Sequence, residues 1–279
     1  MIVTELWNGQ GLGNQLHCYI TTRAMATSLG YEFGIHHPER FKGHKFLNLD
    51  FGCNVEGGHT YIEGQPPSIL PQGIENYYRE HSVRTADGDD ITPYDNNIFK
   101  LKDSTKVDGL LQGEDYFKDF RDIIRENWLK TELLELPDNL CVVNFRGGEY
   151  AGVHRFFLRQ KYWEDALMNM LVVKNDMKFV VVTDDVPLAS SFFNRYGIPV
   201  THNMENDYKM IQSANYLILS NSSFAFYPAW LNNRAKAIIA PRFWGRHNVS
   251  NGYWSIDQNY TAGWLYQDRN GNLDERKHI

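Results

Sequence analysis

Several short stretches of this sequence hold residues of a type and spacing suited to an anion. Residues 9 to 15 read Gly-Gln-Gly-Leu-Gly-Asn-Gln, with Gly9, Gly11 and Gly13 at alternate positions before an apolar run of helical spacing. Bare backbone lets N–H groups approach a ligand closely, and a helix opening at Asn14 adds unpaired amides and the positive end of its dipole. A diphosphate would suit that arrangement; taken alone, the pattern reads first as a tight strand-to-helix turn. Arg146 precedes Gly147 and Gly148, and its planar fork can meet two phosphate oxygens at once. Asp184 and Asp185 can accept hydrogen bonds from guanine N–H groups or a ribose hydroxyl, or cap a helix ahead of Pro187. Ser222 and Ser223 can offer hydroxyl and amide donors to phosphate, or simply open a helix whose Phe224, Phe226 and Trp230 enter a core. The reaction these groups fit is departure of a diphosphate, whose growing negative charge must be met by a cation, a metal or aligned N–H donors.

The elements that would position them follow from periodicity. Residues 3 to 7 read as a strand, and Asn14 to Leu29 as a helix carrying Leu16, Tyr19, Ile20 and Ala24 on one face, closed by Gly30. Residues 57 to 95, rich in Gly, Pro, Asp and Tyr, read as long loops with short strands. Residues 110 to 134 read as helical from about Asp115, with Pro137 ending the segment. Beyond it, the apolar runs 140–145, 178–183, 215–220 and 236–241 alternate with helical stretches at 159–172, 187–197, 207–214 and 222–232. Continuous Val- and Ile-rich strands separated by helices predict a parallel sheet covered on both faces. In such sheets ligands bind beyond the carboxyl ends of the strands, where Arg146, Asp184, Asp185 and Ser220 to Phe224 all fall. The fold class is therefore α/β, with two Rossmann-like domains expected at 1–138 and 139–279.

Composition narrows the class. The 279 residues are 42% hydrophobic and 22% charged, ordinary for a folded chain, and 28 basic against 34 acidic residues leave a net charge of −6. That balance argues against nucleic acid as a partner. Cys18, Cys53 and Cys141 are odd in number and set among apolar neighbours, which predicts free thiols in a reducing compartment. The opening "MIVTELW" lacks the features of a signal peptide and no apolar run approaches about 20 residues, so a cytoplasmic location without a transmembrane segment is expected. The N-x-S/T matches at Asn221, Asn248 and Asn259 are then coincidental. Nothing in the sequence argues for an oligomer.

The motifs, taken in order, resemble a known family. "GLGNQ" after the first strand, "VDGLLQGEDYF" at 107–117, "VVNFRGGEY", "FVVVTDD" and "LILSNSSFAFYPAWL" are similar to five successive motifs of the inverting fucosyltransferases of glycosyltransferase family 11 and their wider superfamily. The resemblance implies two Rossmann-like domains facing each other in the GT-B manner, GDP-β-L-fucose as donor, a glycan hydroxyl as acceptor, inversion at the anomeric carbon, and no required metal or other cofactor. It carries a donor-binding role to Gly11, Gly13, Asn14, Gln15, Asn144, Gly147, Gly148, Asp184, Asp185, Asn221, Ser222, Ser223 and Phe224, and the β-phosphate contact to Arg146. The chain departs from the family's H-x-R-R-x-D signature: Asn144 stands for the His, Gly147 for the second Arg, and Glu149 for the Asp. Those changes put the donor in question, leaving another nucleotide sugar open.

A transferase must also take a proton from the acceptor hydroxyl. Glu149 is the first candidate, with His154 and Glu114 behind it; each also reads as an ordinary polar residue. Arg246 and His247, in the aromatic-rich stretch 241–254, suit either carbohydrate contact or an interdomain latch. Three rivals remain: "DGD" at 87–89 as the metal site of a GT-A transferase, although a plain turn is favoured; a non-catalytic nucleotide- or sugar-binding relative; and a dinucleotide oxidoreductase, which lacks its ribose-binding acid.

Overall fold

The structure, a computed structural model, describes residues 1–59, 67–84, 90–247 and 260–275. The "DGD" stretch, Asn248 and Asn259 lie outside these described residues. The chain divides into two compact units, Met1–Lys130 and Thr131–Ile279. Residues just after the division are tied into the second unit: the Thr131 hydroxyl bonds Gln212 Oε1, and the Leu134 amide donates to Ser213 Oγ at 2.9 Å.

The first unit is built on strands β1 (Ile2–Glu5), β2 (Phe33–His36), β3 (Asn76–Arg79) and β4 (Thr105–Asp108). They form a wholly parallel sheet in the order β2-β1-β4-β3. Helix α1 (Leu12–Leu29) is buried over most of its circumference from Leu12 to Ala26, so its small and apolar residues are not confined to one stripe. It starts two residues before the expected Asn14 and ends at Gly30, whose φ of 71° and N–H bonds to Ala26 and Thr27 carbonyls form a left-handed cap.

The helix expected from Asp115 is not formed. Short 3₁₀ turns at Glu114–Tyr116 and Lys118–Phe120 lead into a helical turn, Arg121–Ile123, and a wide π-type turn, Ile124–Trp128. The cause is aromatic anchoring. A regular helix would carry Phe120 and Trp128 about 12 Å apart along its axis, yet their rings stack at 5.8 Å, and the Arg23 guanidinium lies 4.6 Å from the Trp128 ring centre.

The second unit contains β5 (Leu140–Phe145), α2 (Gln160–Val173), β6 (Lys178–Thr183), α3 (Val186–Phe193), β7 (Val200–Thr201), α4 (Met204–Ser213), β8 (Tyr216–Ile218), α5 (Ser223–Leu231), β9 (Ala237–Pro241), β10 (Leu265–Gln267) and β11 (Leu273–Glu275). Its sheet runs β11-β10-β9-β8-β5-β6-β7, parallel throughout except for the β10–β11 pair. Two features position the site. Strand β5 pairs with β6 over its whole length, and its inward Cys141, Val143 and Phe145 are fully buried under Trp163, Met170 and Phe193. Removing each such large apolar side chain from water contributes roughly 1.5–3 kcal/mol, which fixes the strand end from which Arg146 leaves. Cys18 and Cys141 are buried and Cys53 half-buried, all three as free thiols. Among the described residues no helix is long and apolar enough to cross a membrane.

Candidate functional site

In the second unit the chain runs from β5 outward through β6 to β7, then returns to lay β8 on the other side of β5. The crevice between the carboxyl ends of β5 and β8 is thus the topological switch point, where parallel sheets bind ligands. Arg146, Gly147 and Gly148 leave β5 there; Ser220 to Ser223 leave β8; Asp184 and Asp185 leave the neighbouring β6.

Arg146 is held by two carboxylates and a ring. One guanidinium nitrogen donates to Asp184 Oδ2, another to Glu149 Oε1 at 2.8 Å, and the guanidinium carbon lies 5.0 Å from the centre of the Tyr150 ring. Asp184 Oδ1 also accepts the Gly147 amide at 2.8 Å. The turn needs its glycines: Gly148 has φ +42°, and a Cβ there would lie 2.5 Å from Asp184 Oδ2, while a Cβ on Gly147 would lie 2.7 Å from that of Asp185. The backbone at this strand end is therefore packed closely against Asp184 and Asp185, and the arginine is aimed but not buried.

Asn144 and Ser220 join the two sides of the crevice, the Ser220 hydroxyl donating to Asn144 Oδ1 at 2.7 Å. Asn221 is a cross-link between loops, its amide donating to the Phe156 and Trp244 carbonyls. Ser222 is the N-cap of α5 but makes no capping hydrogen bond, so its hydroxyl and that of Ser223 lie beside an uncapped helix start. Phe224 packs edge-on against Tyr208, with ring centres 6.1 Å apart. Asp185 is the helix cap foreseen as its alternative role, accepting the Leu188 amide at 3.1 Å. Beside Ser220 to Ser222 a cavity is walled by Phe226, Arg242, Trp244 and Trp264.

The remaining expected residues of the second unit are His154, Arg246 and His247. His154 is exposed and pairs with Arg159. Arg246 has a left-handed φ of 60° and donates its amide to the Arg155 carbonyl. His247 is buried against the Tyr162 ring, 5.3 Å between centres, and burial pushes its imidazole down to about 4, which makes it a neutral core group and not a surface contact for sugar.

One residue of the second unit escaped the sequence reading. Asp207, in the first turn of α4, is buried; its Oδ2 accepts the Asn203 amide at 3.0 Å, while Oδ1 has no hydrogen-bond partner among the described residues. Burial pushes its carboxyl up to about 6. It sits near the ends of β6 and β7, since the neighbouring His202 ring bonds the Thr183 carbonyl. The available signal was an acid on the apolar stripe that carries Met210 and Ile211.

In the first unit Gly9 takes φ +89°, a conformation that favours glycine, and Gly11 is the N-cap of α1 without a side-chain cap. Gly13 and Asn14 form the first turn, where Asn14 Oδ1 accepts the Gln112 amide at 3.0 Å. Gln15 is occupied: its amide donates to the Arg40 carbonyl and its oxygen accepts the Lys42 amide, both at 2.9 Å. It fastens α1 to the following loop, which removes its side chain from ligand contact. Glu114 opens the 3₁₀ turn before Tyr116.

Among the described residues, Glu5, His36 and His37 are close enough to share a metal ion. The Glu5 carboxylate, however, is already bonded by Lys106 at 3.0 Å and Arg40 at 3.3 Å. Two fixed cations on one carboxylate oppose a third, so these residues do not suit a metal.

No protein-family model matches the sequence. Among curated proteins the similarity is to sugar transferases. The chain is 26% identical over 176 residues to an Escherichia coli alpha-1,2-colitosyltransferase, covering 55% of this chain and 60% of that protein. It is 27% identical over 132 residues to the Escherichia coli O-antigen biosynthesis glycosyltransferase WbnK, covering 45% of this chain and 42% of the relative. The chain thus matches less than two thirds of either relative's length. Among solved structures, a mutant of Arabidopsis thaliana FUT1 in complex with GDP aligns with TM-score 0.44 at 9% identity, over 86% of this chain and 69% of that one. POFUT1 in complex with GDP-fucose aligns with TM-score 0.41 at 9% identity, over 86% and 96%.

Proposed function

We propose that the chain is an inverting glycosyltransferase that moves L-fucose from GDP-fucose to a hydroxyl of a glycan in the cytoplasm, with no metal in the step. The observation that carries this reading is Arg146 at the β5–β8 switch point, flanked by the bare backbone of Gly147 and Gly148. The curated relatives, both glycosyltransferases by name, support it.

The chemistry follows from the groups present. The acceptor oxygen attacks the anomeric carbon from the face opposite the diphosphate; the carbon–oxygen bond to phosphate breaks and its electron pair leaves with the diphosphate. Arg146 exchanges its two carboxylate partners for phosphate oxygens, keeping its fork geometry. The Ser222 and Ser223 hydroxyls and the uncapped first turn of α5 add neutral donors to the same charge. The free Oδ1 of Asp207 accepts an N–H of the base.

A thermal-shift screen of GDP, UDP, CDP, ADP and dTDP, with and without EDTA, tests this, because a ligand bound only by the folded state raises its melting point. GDP-selective stabilisation insensitive to EDTA is expected; no stabilisation by any nucleoside diphosphate would refute the reading. One finding favours a second donor: a relative is named for colitosyl transfer. A GDP-linked colitose donor turned over faster than GDP-fucose would replace the sugar and keep the site.

A further inference from the structure

A departing diphosphate carries more negative charge than one guanidinium balances, and Arg146 must first give up Asp184 and Glu149 to meet it. Stabilising that charge calls for a second cation or further aligned donors. The residues next to Arg146 supply no cation, since Gly147 and Gly148 follow it.

Arg242 follows β9, the strand beside β8. It lines one cavity with Ser220, Asn221 and Ser222. The cavity is small, about 30 Å³, so a phosphate group reaches into it and a sugar ring does not. The backbone that carries the arginine is pinned: its amide donates to the Gln267 carbonyl at 2.9 Å, and its carbonyl accepts the Tyr260 hydroxyl at 3.0 Å. The Tyr260 ring is held edge-on by Tyr266, with centres 4.7 Å apart.

The side chain, by contrast, is unanswered. In the same unit Arg195 and Arg234 pair with Glu164 and Glu135. Arg242 has no ion pair among the described residues, and its Nε is buried without a hydrogen-bond partner. Asp268, within electrostatic reach of it, is occupied by the amides of Asn270 at 2.8 Å and Asn272 at 2.9 Å. A buried donor with no acceptor is costly, and one retained beside a cavity points to an acceptor that binds there. Ser222 repeats the pattern: it is 7% exposed and makes no capping bond, so the first-turn amides of α5 also lack a side-chain acceptor.

We infer that Arg242 is the second cation of the diphosphate site, donating hydrogen bonds to a phosphate oxygen beside Ser222. The inference rests on the glycosyltransferase reading above. Arg146 leaves β5 and Arg242 leaves β9, on either side of β8, whose end supplies Ser220 to Ser222. All of these groups belong to the second unit. In the step, the bond between the anomeric carbon and the diphosphate oxygen breaks and its electron pair stays on that oxygen; Arg242 keeps its proton and donates to the charge that grows.

The test is calorimetric titration of wild type, Arg242→Gln and Arg242→Lys with GDP, guanosine and inorganic pyrophosphate, after the melting temperature of each protein has been measured. Arg242→Gln keeps N–H donors but no charge, so GDP and pyrophosphate should bind about 10- to 100-fold more weakly, while guanosine changes by less than about twofold. Lost packing alone would not produce that split. Arg242→Lys, the safer change for the fold, keeps the cation without its planar fork and should bind pyrophosphate less well than wild type but better than Arg242→Gln. GDP binding by Arg242→Gln within about threefold of wild type, or an equal weakening of GDP and guanosine, overturns the assignment. A wild-type protein that binds neither GDP nor pyrophosphate fails at the earlier step and withdraws the diphosphate site itself, a result distinguishable from a variant that binds as wild type does.

Discussion

Asp184 holds Arg146 at two levels, its Oδ2 receiving the guanidinium and its Oδ1 receiving the amide of the very next residue, Gly147, at 2.8 Å. The same carboxylate aims the arginine and competes with any anion for it. Asp184→Asn keeps an oxygen for the Gly147 amide but removes the competing charge. Free GDP should then bind about fivefold more tightly, roughly 1 kcal/mol for a half-exposed pair, whereas Arg146→Ala should lose both GDP binding and transfer with the fold intact. Calorimetric titration of the two variants decides it, and weaker binding by Asp184→Asn would show that aiming outweighs competition.

Gly148 lies on the other side of the same contact. An alanine there would adopt a φ of +42° and drive its methyl to 2.5 Å from Asp184 Oδ2. Gly148→Ala should therefore cost about 1–2 kcal/mol from backbone strain and displace the Asp184 carboxylate from Arg146. Denaturant unfolding and GDP titration should both register it. Unchanged stability and binding together would mean that the turn is more tolerant than its geometry implies.

The hydroxyl of Ser220 and the amide oxygen of Asn144 make the link across the crevice. Because both residues are buried, each single truncation strands a polar group. A double-mutant cycle of Asn144→Ala and Ser220→Ala should give a coupling of about 1 kcal/mol. A value indistinguishable from zero would remove the hydrogen bond from any account of how β5 and β8 are held in register.

How much of this was legible in the sequence depended on how local its cause was. The parallel strands were readable because burial on both faces demands unbroken runs such as Cys141 to Phe145, and turns at strand ends follow at once. The short β2, β4, β7 and β10 went unread, since two to four residues carry no period. The stretch after Asp115 was misread for a tertiary reason: Trp128 meets both Phe120 and Arg23, a cation 105 positions before it in the sequence. Glu80 was invisible altogether. Nothing around it in sequence marks it as special; its environment is supplied by Leu110, Leu111 and Tyr116, brought to it by the pairing of β3 with β4. Asp207, by contrast, stood on an apolar stripe where an acid calls for an explanation.

The buried carboxyl of Glu80 also sets a direction for stability against pH. An ordinary glutamate titrates near 4.3, and burial pushes this one up to about 7. Between those values the folded chain holds a proton that the unfolded chain has released, so stability falls as pH rises through the window. The contribution is fully present below about 4.3 and is gone above about 7. Glu80→Gln has no proton to lose, so wild type should lose roughly 2–3 kcal/mol relative to the variant between pH 4.5 and 7.5, on the linkage relation. Parallel urea titrations of the two proteins across that range measure the difference directly. Parallel curves would mean that Glu80 titrates like an exposed carboxylate.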